Sequence, residues 1–396
     1  MSRFATFQQL ARQAVRAAMF AAIGATVLAV PGQAQAQWSL SPLSSFGTSG
    51  WLSGTAFGAA GTNGSIRSMA YNAATGNVLV ANGSTVQIVN GTTGAVGSLL
   101  SASGLSGGTR VLSTVTATSD GAIYGSNLVT SSTASAFKIY RWANEAATPT
   151  TFYSGNAGVA TGARAGDSLV AYGNDATGML AFGTGTINSG TTPTSYYSLL
   201  PTNSGVAGAA TAMSGTGAVN ASFRTGLAFL DSDSILGLAS GGATSNSLVS
   251  GTSGLWTFDG TRTVQNVNER SISAITSVLG TPLLATMQLG GNGGTLLTST
   301  NTVRIYDATN FATSGLGTPL ASANIAVGSI ANGNGNVGIA FGTVNGNPVL
   351  YAMNANNGIQ AFQIVPEPST TLAAGVCTAG LAALMLRSRR RSSESA

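Results

Sequence analysis

Residues 69–100 read MAYNAATGNVLVANGSTVQIVNGTTGAVGSLL, four short apolar runs separated by turn sequences. The clearest two runs are Val78-Leu79-Val80 and Val86-Gln87-Ile88-Val89, with Asn82-Gly83 between them. Asn-Gly tolerates the positive φ angles that a two-residue hairpin turn requires, and Thr-Gly marks the other two turns. The stretch therefore predicts four antiparallel strands joined by tight turns.

The same order of strands and turns recurs along the chain. Successive units open at Met69, Val115, Leu169, Leu227, Ile275 and Ser329. Units of about 50 residues with four strands each are typical of β-propeller blades. We expect an all-β fold, a single β-propeller of six four-stranded blades, with seven blades as the alternative count and a β-helix as the alternative architecture. The last unit shows three strands, and we expect residues 38–43 to supply the fourth and close the ring.

The N-terminal end has the three parts of a secretory signal peptide. Its positive region contains Arg3, Arg12 and Arg16. An uncharged apolar stretch covers residues 17–30, and Ala34-Gln35-Ala36 provides the small residues of a cleavage site. The pattern predicts a helical signal peptide over residues 1–36, with cleavage between Ala36 and Gln37.

The C-terminal end also has three parts. Val365-Pro366-Glu367-Pro368-Ser369 is followed by an uncharged apolar run over residues 371–386. After the run come Arg387, Arg389, Arg390 and Arg391. A transmembrane helix needs ~20 residues, and the run approaches this length when Thr370 is added and Arg387 extends to the membrane interface. The pattern predicts a short transmembrane helix whose arginines stay in the cytoplasm.

This C-terminal end resembles the sorting signal of PEP-CTERM proteins. In that family the Pro-Glu-Pro tripeptide is recognised by a membrane peptidase called exosortase. The resemblance implies cleavage near residues 366–368, loss of the helix, and release or transfer to the cell surface of a Gram-negative bacterium that makes extracellular polysaccharide. It covers about the last 30 residues. The expected organisation is a signal peptide (1–36), a propeller-like domain (37–364), a sorting signal (365–391) and a cytoplasmic tail (392–396).

The charges of the chain are concentrated at its two ends. Of 16 basic residues, three arginines belong to the signal peptide and four to the C-terminal end, which leaves nine. Of 11 acidic residues, Glu367 and Glu394 belong to the C-terminal end, which also leaves nine. The body from residue 37 to 365 therefore has no net charge. Nucleic-acid binding depends on basic patches and is not expected.

The chain has no histidine, and its one cysteine, Cys377, lies in the C-terminal apolar run. Disulfides are therefore not expected in the body, and a Ser-His-Asp triad is excluded. We expect no cofactor and no metal.

Two groups of charged residues are candidate sites in the body. Arg164 and Asp167 open one of the units, where the innermost strand of a propeller blade lines the central channel, so we expect them to form an ion pair there or to contact a ligand. Asp231-Ser232-Asp233 resembles the first positions of a calcium loop, but Ser234-Ile235-Leu236 follows where further oxygen ligands belong. A turn between two strands is the favoured interpretation of this second group.

These observations favour an exported, non-enzymatic surface or extracellular-matrix protein that binds exopolysaccharide or a surface protein. Its other expected partners are exosortase, the secretion machinery and, transiently, the membrane. The alternative is a carboxylate-dependent polysaccharide lyase or hydrolase on a propeller scaffold. A cluster of three or more acids at one mouth of the ring would favour that enzyme, and the acids concerned are Asp120, Asp167, Asp231, Asp233 and Asp307. A third alternative, a self-assembling adhesin, predicts exposed edge strands.

Overall fold

The computed structural model describes residues 37–58, 66–157, 163–185, 197–213, 226–232, 234–238, 245–252, 255–263, 269–278, 280–288, 301–311, 317–325 and 337–367. The strands are β1 (Gln37–Pro42), β2 (Trp51–Ser53), β3 (Ser68–Asn72), β4 (Asn77–Ala81), β5 (Val86–Asn90), β6 (Val96–Leu99), β7 (Arg110–Ala117), β8 (Ile123–Leu128), β9 (Phe137–Trp142), β10 (Thr150–Gly155), β11 (Arg164–Tyr172), β12 (Met179–Gly185), β13 (Tyr197–Pro201), β14 (Thr211–Met213), β15 (Gly226–Phe229), β16 (Ser234–Leu238), β17 (Ser245–Thr252), β18 (Leu255–Thr263), β19 (Glu269–Val278), β20 (Thr281–Gln288), β21 (Asn301–Asp307), β22 (Ala321–Ile325), β23 (Val337–Val344), β24 (Asn347–Asn354) and β25 (Gly358–Glu367). Two short 3-10 helices are Gly54–Phe57 and Asn203–Gly205. The all-β prediction is confirmed.

Five sheets each consist of four strands that are consecutive in the chain. They are blade 1 (β3–β6), blade 2 (β7–β10), blade 3 (β11–β14), blade 4 (β15–β18) and blade 5 (β19–β22). Adjacent strands are antiparallel throughout these blades, as short turns require. The alternative of a β-helix is therefore wrong.

The closing blade contains both ends of the body, in the order β1-β25-β24-β23, and β2 also pairs with β25. The prediction of a four-stranded last blade is wrong in this detail, because the sheet has five strands. After β1 the chain reverses in a turn where the amide of Gly50 bonds to the carbonyl of Phe46 at 2.9 Å. Trp51 then lies opposite Gln360 in β25. β25 has ten residues, long enough for both short strands to pair with it.

The first strand of each blade lies on the inside of a ring. In chain order, the inner strands are β3, β7, β11, β15, β19 and β23. Each inner strand contacts the next one, and β23 contacts β3, which completes the ring. They run in the same direction around the axis: Gly338 lies against Met69 and Gly342 against Tyr71, while Tyr172 packs on Phe229 at the other side of the ring. A β-propeller architecture follows.

Strands in the middle of a blade are buried on both faces, whereas outer strands reach solvent. β4 is buried at four of its five positions and β8 at all six, but β6 is exposed at all four. Neighbouring blades cover both faces of the middle strands, which explains why their sequences are continuous apolar runs rather than alternating ones. The exposed edge β6 has only four residues, which limits pairing with another chain.

The hydrophobic core is divided into layers between neighbouring blades. Between blades 1 and 2, for example, Leu79 packs with Ile123 and Trp142. Trp142 has no exposed surface, and its indole nitrogen donates to the carbonyl of Ser101 at 2.8 Å. Such layers bury large aromatic side chains between sheets and leave the centre of the ring for other residues.

An Asn-x-x-Thr turn joins strands in blades 1 and 3. In the turn after β5, the side-chain oxygen of Asn90 accepts hydrogen bonds from the amides of Thr92 and Thr93 and from the Thr93 hydroxyl, at 2.9 to 3.0 Å. Asn174, after β11, makes the same three bonds with Ala176 and Thr177. The side-chain oxygen of each asparagine thus serves as the acceptor for amides that have no backbone acceptor within the turn.

The two predicted targeting segments lie mostly outside the described residues, because residues 1–36 and 368–396 are not among them. In the part of the chain that the structure describes, no helix has the length and apolar character needed to cross a membrane. Residues 38–365 form one compact unit.

Candidate ligand site in the axial cavity

A cavity of about 330 Å³ lies on the axis of the ring, lined by residues of all six inner strands. This volume is at the lower end of the range of ~300–1,000 Å³ that small-molecule sites occupy. Residues near the beginning of the inner strands form its polar end: Arg67, Ser68, Thr114, Asp167, Ser168 and Ser271. Residues further along the strands form its aromatic end: Tyr71, Tyr172, Phe229 and Phe341.

Arg164 and Asp167 form an ion pair at the polar end, one of the two outcomes expected from the sequence. The Arg164 Nε donates to Asp167 Oδ2 at 2.5 Å and its Nη2 to Oδ1 at 2.9 Å. The contact is bidentate, because the planar guanidinium presents two N–H donors to the two oxygens of the carboxylate. The hydrogen bonds with Asp167 raise the pKa of Arg164 above its ordinary value.

A second arginine, which the sequence analysis missed, approaches the same carboxylate. Arg67 Nη2 lies 3.5 Å from Asp167 Oδ1, and Arg67 Nε donates to Ser113 Oγ at 2.9 Å. The side chains of Arg67 and Asp167 are 6% and 10% exposed, and that of Arg164 is 24% exposed. The group therefore links blades 1, 2 and 3 and places two guanidiniums around one carboxylate.

A β-bulge in β11 forms the part of the strand that contains Asp167. The pairing register with β12 shifts between Ala165 and Leu169. Within the bulge, Gly166 has φ +97°, and a Cβ at this position would lie 1.9 Å from the backbone oxygen of Asn127. Only glycine fits there, and bulges often redirect side chains next to functional sites.

Arginine recurs where inner strands begin. Arg67 directly precedes β3, Arg110 and Arg164 are the first residues of β7 and β11, and Arg270 is the second residue of β19. The sequence contained this signal, since each arginine lies two to five residues before the opening of its unit, but it is visible only once the strand ends are known. Arg224 precedes β15 and lies outside the described residues.

The described acids among the enzyme candidates lie in four different blades. Asp120 lies in the turn after β7, where it accepts the amide of Asp175 at 3.0 Å, and Asp231 lies in the turn after β15. Both turns lie where an inner strand ends, whereas Asp167 lies near the beginning of its inner strand. Asp307 is exposed at the end of β21. Among the described residues no three acids are close enough to hold a metal ion.

The Asp231 segment forms the turn that the sequence favoured. The amide of Leu230 bonds to the carbonyl of Ser234 at 2.9 Å, which closes the connection between β15 and β16. Asp233 lies outside the described residues. Because Asp233 is not described, and Asp120 and Asp231 lie at the same end of the inner strands, the alternative of a carboxylate enzyme stays a prediction.

A second ion pair joins blades 2 and 3 away from the cavity. Arg141 donates to both oxygens of Asp175 at 2.8 and 2.5 Å, and the Tyr124 hydroxyl donates to Oδ1 at 2.5 Å. The hydrogen bond from Arg141 is the main cause that lowers the pKa of Asp175. Burial, followed by the bond to Asp175, raises the pKa of Tyr124. One positive and one negative charge balance here.

The sorting and cleavage residues lie at the ends of the closing blade or beyond it. Gln37 is the first residue of β1, while Ala34 and Ala36 are outside the described residues. Val365, Pro366 and Glu367 are the last residues of β25, so this strand extends three residues past the expected domain end at 364. Outside the described residues are Pro368, Ser369, Arg387, Arg389, Arg390 and Arg391.

Comparison with known proteins identifies the fold only. No family model matches the chain, and no curated protein is similar to it. A DUF4623 family protein from Bacteroides eggerthii superposes with a TM-score of 0.56 at 17% identity, over 77% of this chain and 72% of that one. XC5397 from Xanthomonas campestris, a gluconolactonase, gives a TM-score of 0.46 at 12% identity over 76% and 87% of the two chains. A luciferin-regenerating enzyme gives 0.44 at 12% identity over 78% and 93%. At these identities the likeness to the DUF4623 protein supports a β-propeller body and carries no activity with it.

Proposed function

We propose that this chain is an exported β-propeller that is displayed at the cell surface and binds a glycan in its axial cavity without transforming it. The observation that carries the proposal is the cavity itself, with charged groups at one end and aromatic rings at the other. Aromatic side chains pack against the apolar faces of sugar rings, and a few fixed polar groups orient the ligand.

The arrangement of Asp167 favours binding over catalysis. A general acid or base must exchange a proton with its substrate, and the usual glycosidase mechanism needs two carboxylates that flank the bond. Both oxygens of Asp167 accept hydrogen bonds from arginine, and no second described carboxylate lines the cavity.

Exosortase, the secretion machinery and the membrane remain the proposed partners of the two targeting segments.

The positions of the proposed processing sites support display. Cleavage after Ala36 would leave the whole of β1, because β1 begins at Gln37. Cleavage near residues 366–368 would remove only the last residues of β25. Both events would therefore leave the ladder of the closing blade nearly complete, so that the released body keeps its fold.

A glycan array tests the binding function. The full-length chain, purified in mild detergent and labelled at its surface, is expected to bind a restricted group of glycans, and unlabelled glycan should compete. A chain that binds nothing on an array of neutral and acidic bacterial polysaccharides would contradict the proposal. Release of reducing ends or unsaturated products from a bound glycan would support the lyase or hydrolase alternative instead.

Mass spectrometry of the protein from its host tests the display function. We expect an N-terminus at Gln37 and a C-terminus near residues 366–368. A mature protein that retains Arg387 to Ala396 would exclude sorting by exosortase.

A further inference from the structure

We propose that the axial cavity selects an uncharged glycan, and that the hydroxyl groups of Ser271 and Thr116 hold the sugar from opposite walls. This inference rests on the proposed glycan-binding function and names the ligand class of the same cavity. It depends on two features of the described lining. One is a pair of charges that offset each other at the polar end, and the other is a pair of buried hydroxyl groups that can bond to a ligand.

The described charges that line the cavity offset each other. Arg67 contributes one positive charge and Asp167 one negative charge, with Nη2 and Oδ1 3.5 Å apart. Arg164 also bonds to Asp167, but it does not line the cavity and its side chain is 24% exposed, so that solvent screens its charge. A charged sugar would lose water on entering without gaining an unpaired opposite charge among the described lining residues. A neutral sugar avoids that cost.

Among the described residues that line the cavity, Ser271 has a hydroxyl group without a hydrogen-bond partner. It is the third residue of β19, and it is 8% exposed. Its side chain makes no hydrogen bond within the part of the chain that the structure describes. A buried hydroxyl group without a partner costs free energy, and a hydroxyl group of a bound sugar would supply the missing partner.

Thr116 provides a second hydroxyl group from the other side of the ring. Its oxygen accepts the amide of Ala171 at 3.1 Å, which leaves its O–H group available to donate among the described residues, and Thr116 is 7% exposed. Two inner strands separate β7 from β19 in either direction around the ring, so Thr116 and Ser271 lie on opposite walls. A sugar between them can satisfy both residues, because a hydroxyl group both donates and accepts hydrogen bonds.

Two other hydroxyl groups of the lining are engaged within the protein. Ser68 Oγ accepts the amide of Val115 at 3.2 Å, and the Thr114 hydroxyl shares a hydrogen bond of 2.6 Å with that of Ser126. These contacts join inner strands to their neighbours and fix the wall of the cavity. Contact with the ligand is therefore assigned to the hydroxyl groups of β7 and β19 described above.

A glycan array that carries matched pairs tests the charge preference on the full-length chain. The pairs are galactotriose with trigalacturonate and mannotriose with trimannuronate. Within a pair that binds, isothermal titration calorimetry should give a dissociation constant about tenfold lower for the neutral member, because the uronate loses water from its carboxylates without a compensating charge. If the chain binds only other glycans on the array, these should be neutral.

Asp167→Asn tests the contribution of charge. Removal of this carboxylate leaves the positive charge of Arg67 in the lining, so the preference for the neutral member of a bound pair should shrink about threefold or reverse. The measurement is the ratio of the two dissociation constants in the variant and in the parent chain.

Ser271→Ala tests the assigned hydroxyl contact. It should weaken binding of the neutral trisaccharide about fivefold, because one hydrogen bond to the ligand is lost. The melting temperature should stay unchanged, since the hydroxyl group bonds to no described residue. Ser271→Thr keeps a hydroxyl group and should restore part of the affinity. Ser98→Ala is the matched control, because this serine is exposed in β6 and does not line the cavity.

The outcomes separate this inference from the proposed function. Equal or tighter binding of the uronate member, or a bound set made up of acidic glycans, would overturn the inference while glycan binding stands. An unchanged preference in the Asp167→Asn chain, or parent affinity in the Ser271→Ala chain, would also overturn it. If the Asp167→Asn chain does not fold, the matched pairs and Ser271→Ala decide. An array with no bound glycan would remove the proposed function itself.

Discussion

Two groups of ion-paired side chains differ in their place in the ring and in the number of arginines around the carboxylate. Arg141 and Asp175, joined by the Tyr124 hydroxyl, form a neutral pair between blades 2 and 3. In the cavity, Arg164 and Arg67 both approach Asp167. The first arrangement lies between two blades, away from the cavity, and stabilises the fold. The second includes Arg67 and Asp167 of the cavity lining, where we propose that a glycan binds.

The largest effect is expected from Gly166→Ala, which changes the bulge in β11 that positions Asp167. The new Cβ would meet the Asn127 oxygen, and the positive φ adds backbone strain, so we expect a loss of about 3 kcal/mol or more in the free energy of unfolding. Chemical denaturation measures this loss.

Gly280→Ala is the control for the Gly166 variant. Gly280 also has a positive φ, +85°, but no atom lies within 4 Å of the position that a Cβ would occupy. Its substitution should cost only about 1 kcal/mol, the contribution of the backbone conformation. Equal losses for the two variants would mean that the close contact in the bulge contributes nothing.

Asp175→Asn breaks the balanced pair and should cost about 2 kcal/mol, because two hydrogen bonds to a charged guanidinium are weakened. The pKa of Asp175 is lowered in the folded state, so its stabilising effect is present above the unfolded pKa of about 3.9 and is lost as the pH falls below it. Between pH 7 and pH 3 the melting temperature of the variant should fall less than that of the parent chain. An identical pH profile would contradict this role.

Tyr124→Phe should have a smaller effect, about 1 kcal/mol, since it removes one hydrogen bond and leaves the ion pair in place. The ring keeps its edge-on packing with Phe152, whose centroid is 5.0 Å away. Glycan binding should not change, because the residue does not line the cavity. A change in affinity would show that the two ion pairs are coupled.

The smallest difference is expected between two equivalent turns. Asn174→Ala and Asn90→Ala each remove three local hydrogen bonds, at a cost of about 1 kcal/mol. Asn174 directly precedes Asp175, so its loss should also loosen the balanced pair and lower the melting temperature slightly more. A larger loss for Asn90→Ala would contradict that connection.

Much of the fold could be predicted because its signals are local. The Asn-Gly and Thr-Gly turns and the runs such as Val78-Leu79-Val80 lie within one blade each. β2 was not predicted, since three residues in a Gly- and Ser-rich segment carry no strand pattern, and its pairing with β25 joins residues about 300 positions apart. The closing blade therefore depends on contacts that no short window contains.

The candidate site was predictable in part for the same reason. Arg164 and Asp167 are three residues apart, and their position at the opening of a unit indicated the channel. Arg67 comes from 100 residues earlier in the chain and meets Asp167 only when blades 1 to 3 pack together. The bulge around Gly166 was also invisible, because a glycine in a Gly-rich sequence does not by itself indicate a positive φ.

The closing blade also determines how the body would bear a load. A protein held at its C-terminal end is pulled through β25, and this strand is flanked by β24 on one edge and by β1 and β2 on the other. Force applied there must rupture two ladders of hydrogen bonds, whereas force applied to an edge strand such as β6 needs to open one. A C-terminal tether would thus pull on a strand that is hydrogen-bonded along both edges.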